Sequence, residues 1–128
     1  AAMSRELPQA TLRVHLWFEN EGGMLFGLGR VQLLREVARL GSLHKAAQAL
    51  GMSYRAAWGR IKRTEAALGN PVVAKVAGRK GYALTPLGEQ LVSDFSSWHA
   101  EVERFALERA RIMLSWDTVG FAEGPVES

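Results

Sequence analysis

Cysteine is absent from this chain of 128 residues, which excludes disulfides and thiolate metal sites and fits a cytoplasmic protein. No run of about 18 apolar residues occurs, so no membrane-spanning helix is expected. The start, Ala1–Glu6, lacks the apolar core of a signal peptide. Histidine is scarce as well: His15, His44 and His99 lie far apart, without metal-ligand spacing, and read as surface or structural residues. Gly-x-Ser-x-Gly, a Walker loop and His-Glu-x-x-His are all missing. Glu101, Glu103 and Glu108 sit on one helix with no pocket to focus them. No catalytic residue, metal site, cofactor or enzymatic activity is therefore expected, and there are no internal repeats. A chain of this length, 48% hydrophobic, can bury one core with an extended dimerisation element attached, but not a second full ligand-binding domain.

Charge is present in quantity and unevenly placed. The net is only +3, yet residues 54–80 carry Arg55, Arg60, Lys62, Arg63, Lys75, Arg79 and Lys80 against Glu65 alone, a local net of +6. Residues 81–128 set three arginines against eight acids, a net of −5. A basic middle and an acidic end suit a polyanion-binding face opposed to a different surface.

The basic stretch coincides with the most informative pattern in the chain, Gly41–Gly69. Ser42 can cap a short helix whose apolar positions Leu43, Ala46, Ala47 and Leu50 recur at helical spacing, and Ala49 adds a third small residue for a close crossing. Gly51 falls where that helix must stop with positive φ. Ser53 can cap the next helix, with Ala57, Ile61 and Leu68 as its inward stripe. Two helices so joined form a helix-turn-helix, whose second helix enters the major groove of DNA. Tyr54, Arg55, Trp58, Arg60, Lys62 and Arg63 are expected to face outward.

Around it, Thr11–Phe18 alternates as a half-buried strand, Glu19–Gly23 supplies a turn, and Met24–Phe26 returns as a second strand. Gly27 and Gly29 precede a helix over Arg30–Leu40. Pro71–Val76 and Tyr82–Leu84 read as a hairpin with Arg79 and Lys80 at its tip, a wing that could reach phosphates. Thr85 caps a last helix with Pro86 at its first position, running to about Trp116. Leu91, Phe95, Trp98, Val102, Phe105, Ile112 and Trp116 step along it by threes and fours with Arg109 interrupting, a stripe suited to packing against a second subunit.

Site residues follow from these places. Ser53 and Tyr54 stand at the end of the helix that approaches base edges. Arg55 and Arg60 can offer bidentate donors to guanine or clamp phosphate. Lys62 and Arg63 lie further along and suit backbone phosphates, as do Lys45 on the first helix and the Ser42 hydroxyl. Trp58 is open between a thymine methyl and packing beneath the helix.

The run GSLHKAAQALGMSYRAAWGRI closely resembles the winged helix-turn-helix domain of the ModE family, molybdate-responsive bacterial transcription regulators. Ser53, Tyr54, Arg55, Ala57 and Trp58 match that family's signature directly. LWFENEGGMLFGLGRVQLLREV resembles its strand pair and first helix, and ALTPLGEQLV the close of its wing. LysR-type regulators share the general pattern, including LTPLGEQL, without the aromatic pair. The resemblance implies a homodimer on a palindromic double-stranded operator, with Ser53, Tyr54 and Arg55 at the DNA-facing start of the recognition helix. The wing, AGRKGYA, is shorter than is common in the family. No molybdate-binding domain follows within these residues, so no molybdate site is expected here, and the chain reads as a stand-alone form or a fragment.

The expected fold is mainly α with small β elements: a winged helix-turn-helix with an N-terminal β-hairpin and a long C-terminal dimerisation helix. Its expected parts are a disordered segment at 1–10, the winged domain at 11–84, the dimerisation helix at 85–117 and a flexible tail at 118–128. The recognition helix should cover about 53–68 and the wing about 77–81. A protein-interaction module of the same fold, without DNA binding, is the competing reading. An oxyanion-sensing dimer is a weaker one, since no donor cluster for it is visible.

Overall fold

The computed structural model describes residues 9–78 and 80–120. Its elements run β1 (Ala10–Leu12), β2 (Trp17–Asn20), β3 (Gly23–Gly27), α1 (Leu28–Leu40), α2 (Leu43–Ala49), α3 (Tyr54–Leu68), β4 (Val73–Lys75), β5 (Tyr82–Leu84), α4 (Pro86–Met113) and β6 (Thr118–Gly120). They form two compact units, one of residues 16–96 and one joining residues 1–15 with 97–128.

In the larger unit α1, α2 and α3 enclose the core. Val31, Leu33, Leu34 and Val37 from α1 meet Leu43, Ala46 and Ala47 from α2, Ala57 and Ile61 from α3, and Val72, Val73 and Phe95 beyond. Burying a leucine or isoleucine this completely contributes roughly 1.5–3 kcal/mol. The antiparallel hairpin β2–β3 closes one side, and Phe26 meets the edge of Phe95 with ring centroids 5.3 Å apart. Gly27 is required there: a Cβ would lie 2.8 Å from that of Trp17.

Three helix starts follow the expected caps. Ser42 Oγ accepts from Lys45 N–H, and Ser53 Oγ from Ala56 N–H, each at 3.0 Å. Thr85 Oγ1 accepts from Gly88 N–H at 3.1 Å and donates to the Pro71 carbonyl at 2.8 Å. Such caps satisfy otherwise unpaired donors and contribute about 1 kcal/mol each.

Several expectations need correction. Gly29 lies inside α1, which begins at Leu28 behind an extended Gly27. Thr11–Phe18 is not one strand: its alternation of exposure holds from Ala10 to Leu16, but the backbone leaves the ladder at 13–16, and β1 and β2 pair with different partners. Leu68 is 41% exposed, and Thr64 takes the inward place instead. It can do so because its hydroxyl donates to the Arg60 carbonyl at 2.9 Å, a bond within its own helix. Ala49 is exposed rather than part of the helix crossing.

In the second unit, 118–120 is a strand rather than a flexible tail, and Ala10 belongs to its partner rather than to a disordered segment. β6 pairs in parallel with β1, Ala10 opposite Thr118 and Leu12 opposite Gly120. This pairing also explains why α4 stops at Met113 rather than continuing to 117. The chain turns back after Leu114, Ala10 N–H donates to the Asp117 carbonyl at 2.8 Å, and Arg111 Nε donates to the Thr118 carbonyl at 2.9 Å. His99 is buried, its Nε2 3.1 Å from the Val14 carbonyl, in keeping with a structural role. The rest of the expected disordered segment and tail, 1–8 and 121–128, lies outside the described residues.

Candidate nucleic-acid interface

The turn between α2 and α3 is closed by backbone bonds: Leu50 N–H reaches the Ala46 carbonyl, Gly51 N–H that of Gln48 and Met52 N–H that of Ala47, at 3.0–3.1 Å. Gly51 adopts φ 69°, the left-handed conformation that ends α2. The N-terminus of α3 is thereby presented on the surface, with Ser53, Tyr54 and Arg55 all exposed.

Successive helical residues rotate by about 100°, so Ala57, Ile61 and Thr64 on the core side put Arg55, Gly59 and Lys62 on the far side. Tyr54 and Trp58 lie beside this strip, toward the wing. Their rings form a chain across three elements: His44 of α2 to Tyr54 (5.6 Å), Tyr54 to Trp58 (6.4 Å, edge-on), and Trp58 to Tyr82 of β5 (5.4 Å, edge-on). The structure therefore makes Trp58 a half-buried packing residue, joined to the core cluster. Lys62 Nζ sits 4.9 Å from the centre of its ring.

The wing is fixed to the helix-turn-helix through its backbone. β4 and β5 pair antiparallel with Lys75 opposite Tyr82, and Tyr82 N–H donates to the Gly41 carbonyl at 3.1 Å. Gly81 permits this approach. Its φ is 133°, and a Cβ would come within 2.6 Å of the Gly41 oxygen. Between the wing and the start of α2 lies a cleft of about 570 Å³, where Ser42, Lys45 and Lys80 converge from separate parts of the sequence. Arg79 lies outside the described residues.

Two expected contacts sit elsewhere. Arg60 is half-buried on the flank of α3, beside Arg30, Leu33 and Thr64. Arg63 is exposed but borders Asn20, Gly22 and Met24 of the N-terminal hairpin. Arg30 was missed by the sequence reading. It is buried and donates through Nη1 to the Leu25 carbonyl at 2.5 Å and to Thr64 Oγ1 at 3.4 Å, while its Nε has no partner among the described residues. Burial, with repulsion from Arg63 and Arg60, lowers its pKa below the ordinary guanidinium value. The gap around it is too small for a water molecule. Its spacing was the only signal: Arg30 precedes Leu33, Leu34 and Val37 on the same helical face.

Glu65, the one acid of the basic stretch, is turned away from the exposed strip. Its Oε2 accepts from Val72 N–H at 2.8 Å, and its Oε1 lies 3.6 Å from Lys62 Nζ. Of the two cations on the outer face of α3, Lys62 is thus paired with the helix's one carboxylate, while Arg55 lies ten residues from it.

This arrangement is a winged helix-turn-helix. Residues 28–89 match the family model described as "Bacterial regulatory helix-turn-helix protein, lysR family". The chain is 38% identical over 85 residues to the molybdenum-pterin-binding protein MopB of Rhodobacter capsulatus, across 64% of this chain and 32% of that protein. It is 33% identical over 94 residues to the molybdenum transport protein ModE of Azotobacter vinelandii, across 71% of this chain and 34% of that protein. Its curated homologues are thus ModE and MopB, and the chain spans about a third of their length. In fold it is similar to the DNA-binding domain of CbnR, solved as a DNA complex, with a TM-score of 0.54 at 23% identity over 66% of this chain and 93% of that one. The DNA-binding domain of BenM, solved with benA site 1 DNA, gives 0.54 at 20% identity over 66% and 95%.

Proposed function

We propose that this protein is a homodimeric regulator that binds a palindromic operator, with α3 in the major groove and the wing against the flanking phosphates. One observation carries the reading: Arg55 and Lys62 stand on the outer face of α3, while Glu65, the helix's one acid, is held by the backbone N–H groups of Val72 and Val73 with its other oxygen 3.6 Å from Lys62. Arg55, beside the capped N-terminus, supplies bidentate base contact, with Tyr54 and Ser53 next to it. Ser42, Lys45 and Lys80 converge on one cleft and serve backbone phosphate, a role the sequence also suggests for Arg79. Lys62 serves phosphate, Arg60 and Arg63 act at the margin, and Trp58 holds the wing to the helix. The phosphate contacts provide most of the affinity and make it fall steeply with salt.

Dimerisation is assigned to α4. Trp98, Phe105 and Ile112 recur every seven residues, and Phe105 and Ile112 are 65% and 71% exposed, a seam suited to a second copy. Two heads related by a two-fold axis place half-sites about one helical turn apart, or a multiple of it. No described helix is long and apolar enough to cross a membrane, and we place the protein in the cytoplasm, without an enzymatic role.

The test is selection from a randomised duplex pool at two salt concentrations, with sequencing of the bound fraction. Recovery of an inverted repeat, with affinity falling as salt rises, is the expected result. Absence of binding even at low salt, or binding indifferent to salt, overturns the reading in favour of a protein-interaction module.

A further inference from the structure

Gly59 has no explanation inside the chain. It is the sixth residue of α3 and lies in the helix interior, where glycine weakens a helix relative to alanine. Its φ is not positive, so no unusual backbone requires it. No neighbour crowds it either: a Cβ built at Gly59 meets nothing within 4 Å. The other glycines in described helices differ. Gly29 lies in the first turn of α1, and Gly88 is pressed so closely on the Val72 carbonyl that a Cβ there would collide with it. A residue that costs the helix stability and spares no internal contact points to something outside the chain.

Its position says what that is. At about 100° per residue, Gly59 lies opposite the core-facing Ala57, Ile61 and Thr64, between Arg55 one turn before and Lys62 one turn after. Both flanking side chains are exposed cations. A helix with side chains is about 10–12 Å across and the major groove about 12 Å wide, so the fit leaves little slack. A bare backbone between two long cations lets the helix axis sit deeper while they reach past it on either side.

We propose that Gly59 sets the depth at which α3 enters the major groove, as the point where base edges close on the helix backbone, and that it is thereby a specificity-determining residue. The inference rests on the DNA-binding reading of α3 and deepens it. Its physical content is a distance. A methyl group at position 59 holds the helix off by about 1 Å, and a base contact of about 2.9 Å from Arg55 then leaves hydrogen-bonding range. Phosphate contacts from long, flexible lysines tolerate the same shift. Discrimination between sequences is lost first, and general affinity for DNA much less.

The experiment compares wild type, Gly59→Ala and Gly59→Leu by thermal melting, and by anisotropy on the duplex selected by the wild type and on a scrambled duplex of equal length. The expected result is opposite signs. Both variants melt a few degrees higher, because alanine and leucine are better helix formers. Gly59→Ala binds the selected duplex about tenfold more weakly, Gly59→Leu more weakly still, and both bind the scrambled duplex within about twofold of wild type. Variants that bind the selected duplex as wild type does overturn this inference alone. Lowered melting temperatures overturn it by showing that the glycine serves the fold. A wild type that binds neither duplex overturns the DNA-binding reading and this inference with it.

Discussion

The two compact units use their apolar residues in opposite ways. Residues 16–96 finish their own core: Val31, Leu33, Leu34, Val37, Leu43 and Ile61 are shielded almost completely. Among the described residues of the other unit the buried side chains are His99, Leu107 and Thr118, while Phe105, Ile112, Met113 and Leu114 are exposed. Two adjacent stretches of one chain thus differ in what completes them. The first closes within the chain, whereas the second carries apolar surface of the kind that marks an association site.

This contrast breaks most visibly at the dimer surface proposed for α4. Phe105→Glu combined with Ile112→Glu should convert dimer to monomer, removing four apolar side chains per dimer at roughly 1.5 kcal/mol or more each, about 6 kcal/mol in total. Sedimentation velocity reads the change, and the helical circular dichroism of the head should persist; a variant that remains dimeric removes α4 from the interface. Next in size is the core. Leu34→Ala should cost about 2–5 kcal/mol in denaturant unfolding, since nothing in so tight a core collapses into the space. An equal cost for Met113→Ala, at an exposed position of the other unit, in the monomeric background would erase the contrast between the units.

Within the head, Arg55→Ala should cost about 1–3 kcal/mol on the selected operator and little on random DNA. Lys62→Ala should weaken both alike and flatten the salt dependence. Equal losses on both duplexes for Arg55→Ala would reassign it to phosphate. The smallest effect is at the cap: Ser53→Ala should lower stability by about 1 kcal/mol, visible as a melting shift of several degrees.

The head was legible in the sequence because its signals are local. Ser42, Ser53 and Thr85 are caps readable from the next three residues, and Gly41, Gly51 and Gly69 end helices through positive φ. The wing announced itself by β-branched residues around AGRKG. Features set by distant partners were not legible. No spacing joins Ala10–Leu12 to Thr118–Gly120, so the strand at 118–120 read as a tail and the break at 13–16 as continuous strand. Arg30 looked like a helix's first cation because the carbonyl that receives it belongs to the preceding strand and the hydroxyl beside it lies 34 residues away. The candidate site divided along the same line. Tyr54, Arg55 and Lys62 follow from helical rotation alone. The meeting of Ser42 and Lys45 with Lys80 depends on a wing anchored to Gly41, and the turning of Arg60 toward Arg30 depends on the packing of α1.

The ladder between β1 and β6 has a kinetic consequence. Its three pairs link residues 108 positions apart, so its closure entropy is met only after the intervening chain has ordered. Three pairs are also too few to hold on their own. The ladder is accordingly among the last elements to form in folding and the first to open afterwards, and its amides exchange with solvent while those of Leu33 and Leu34 remain protected.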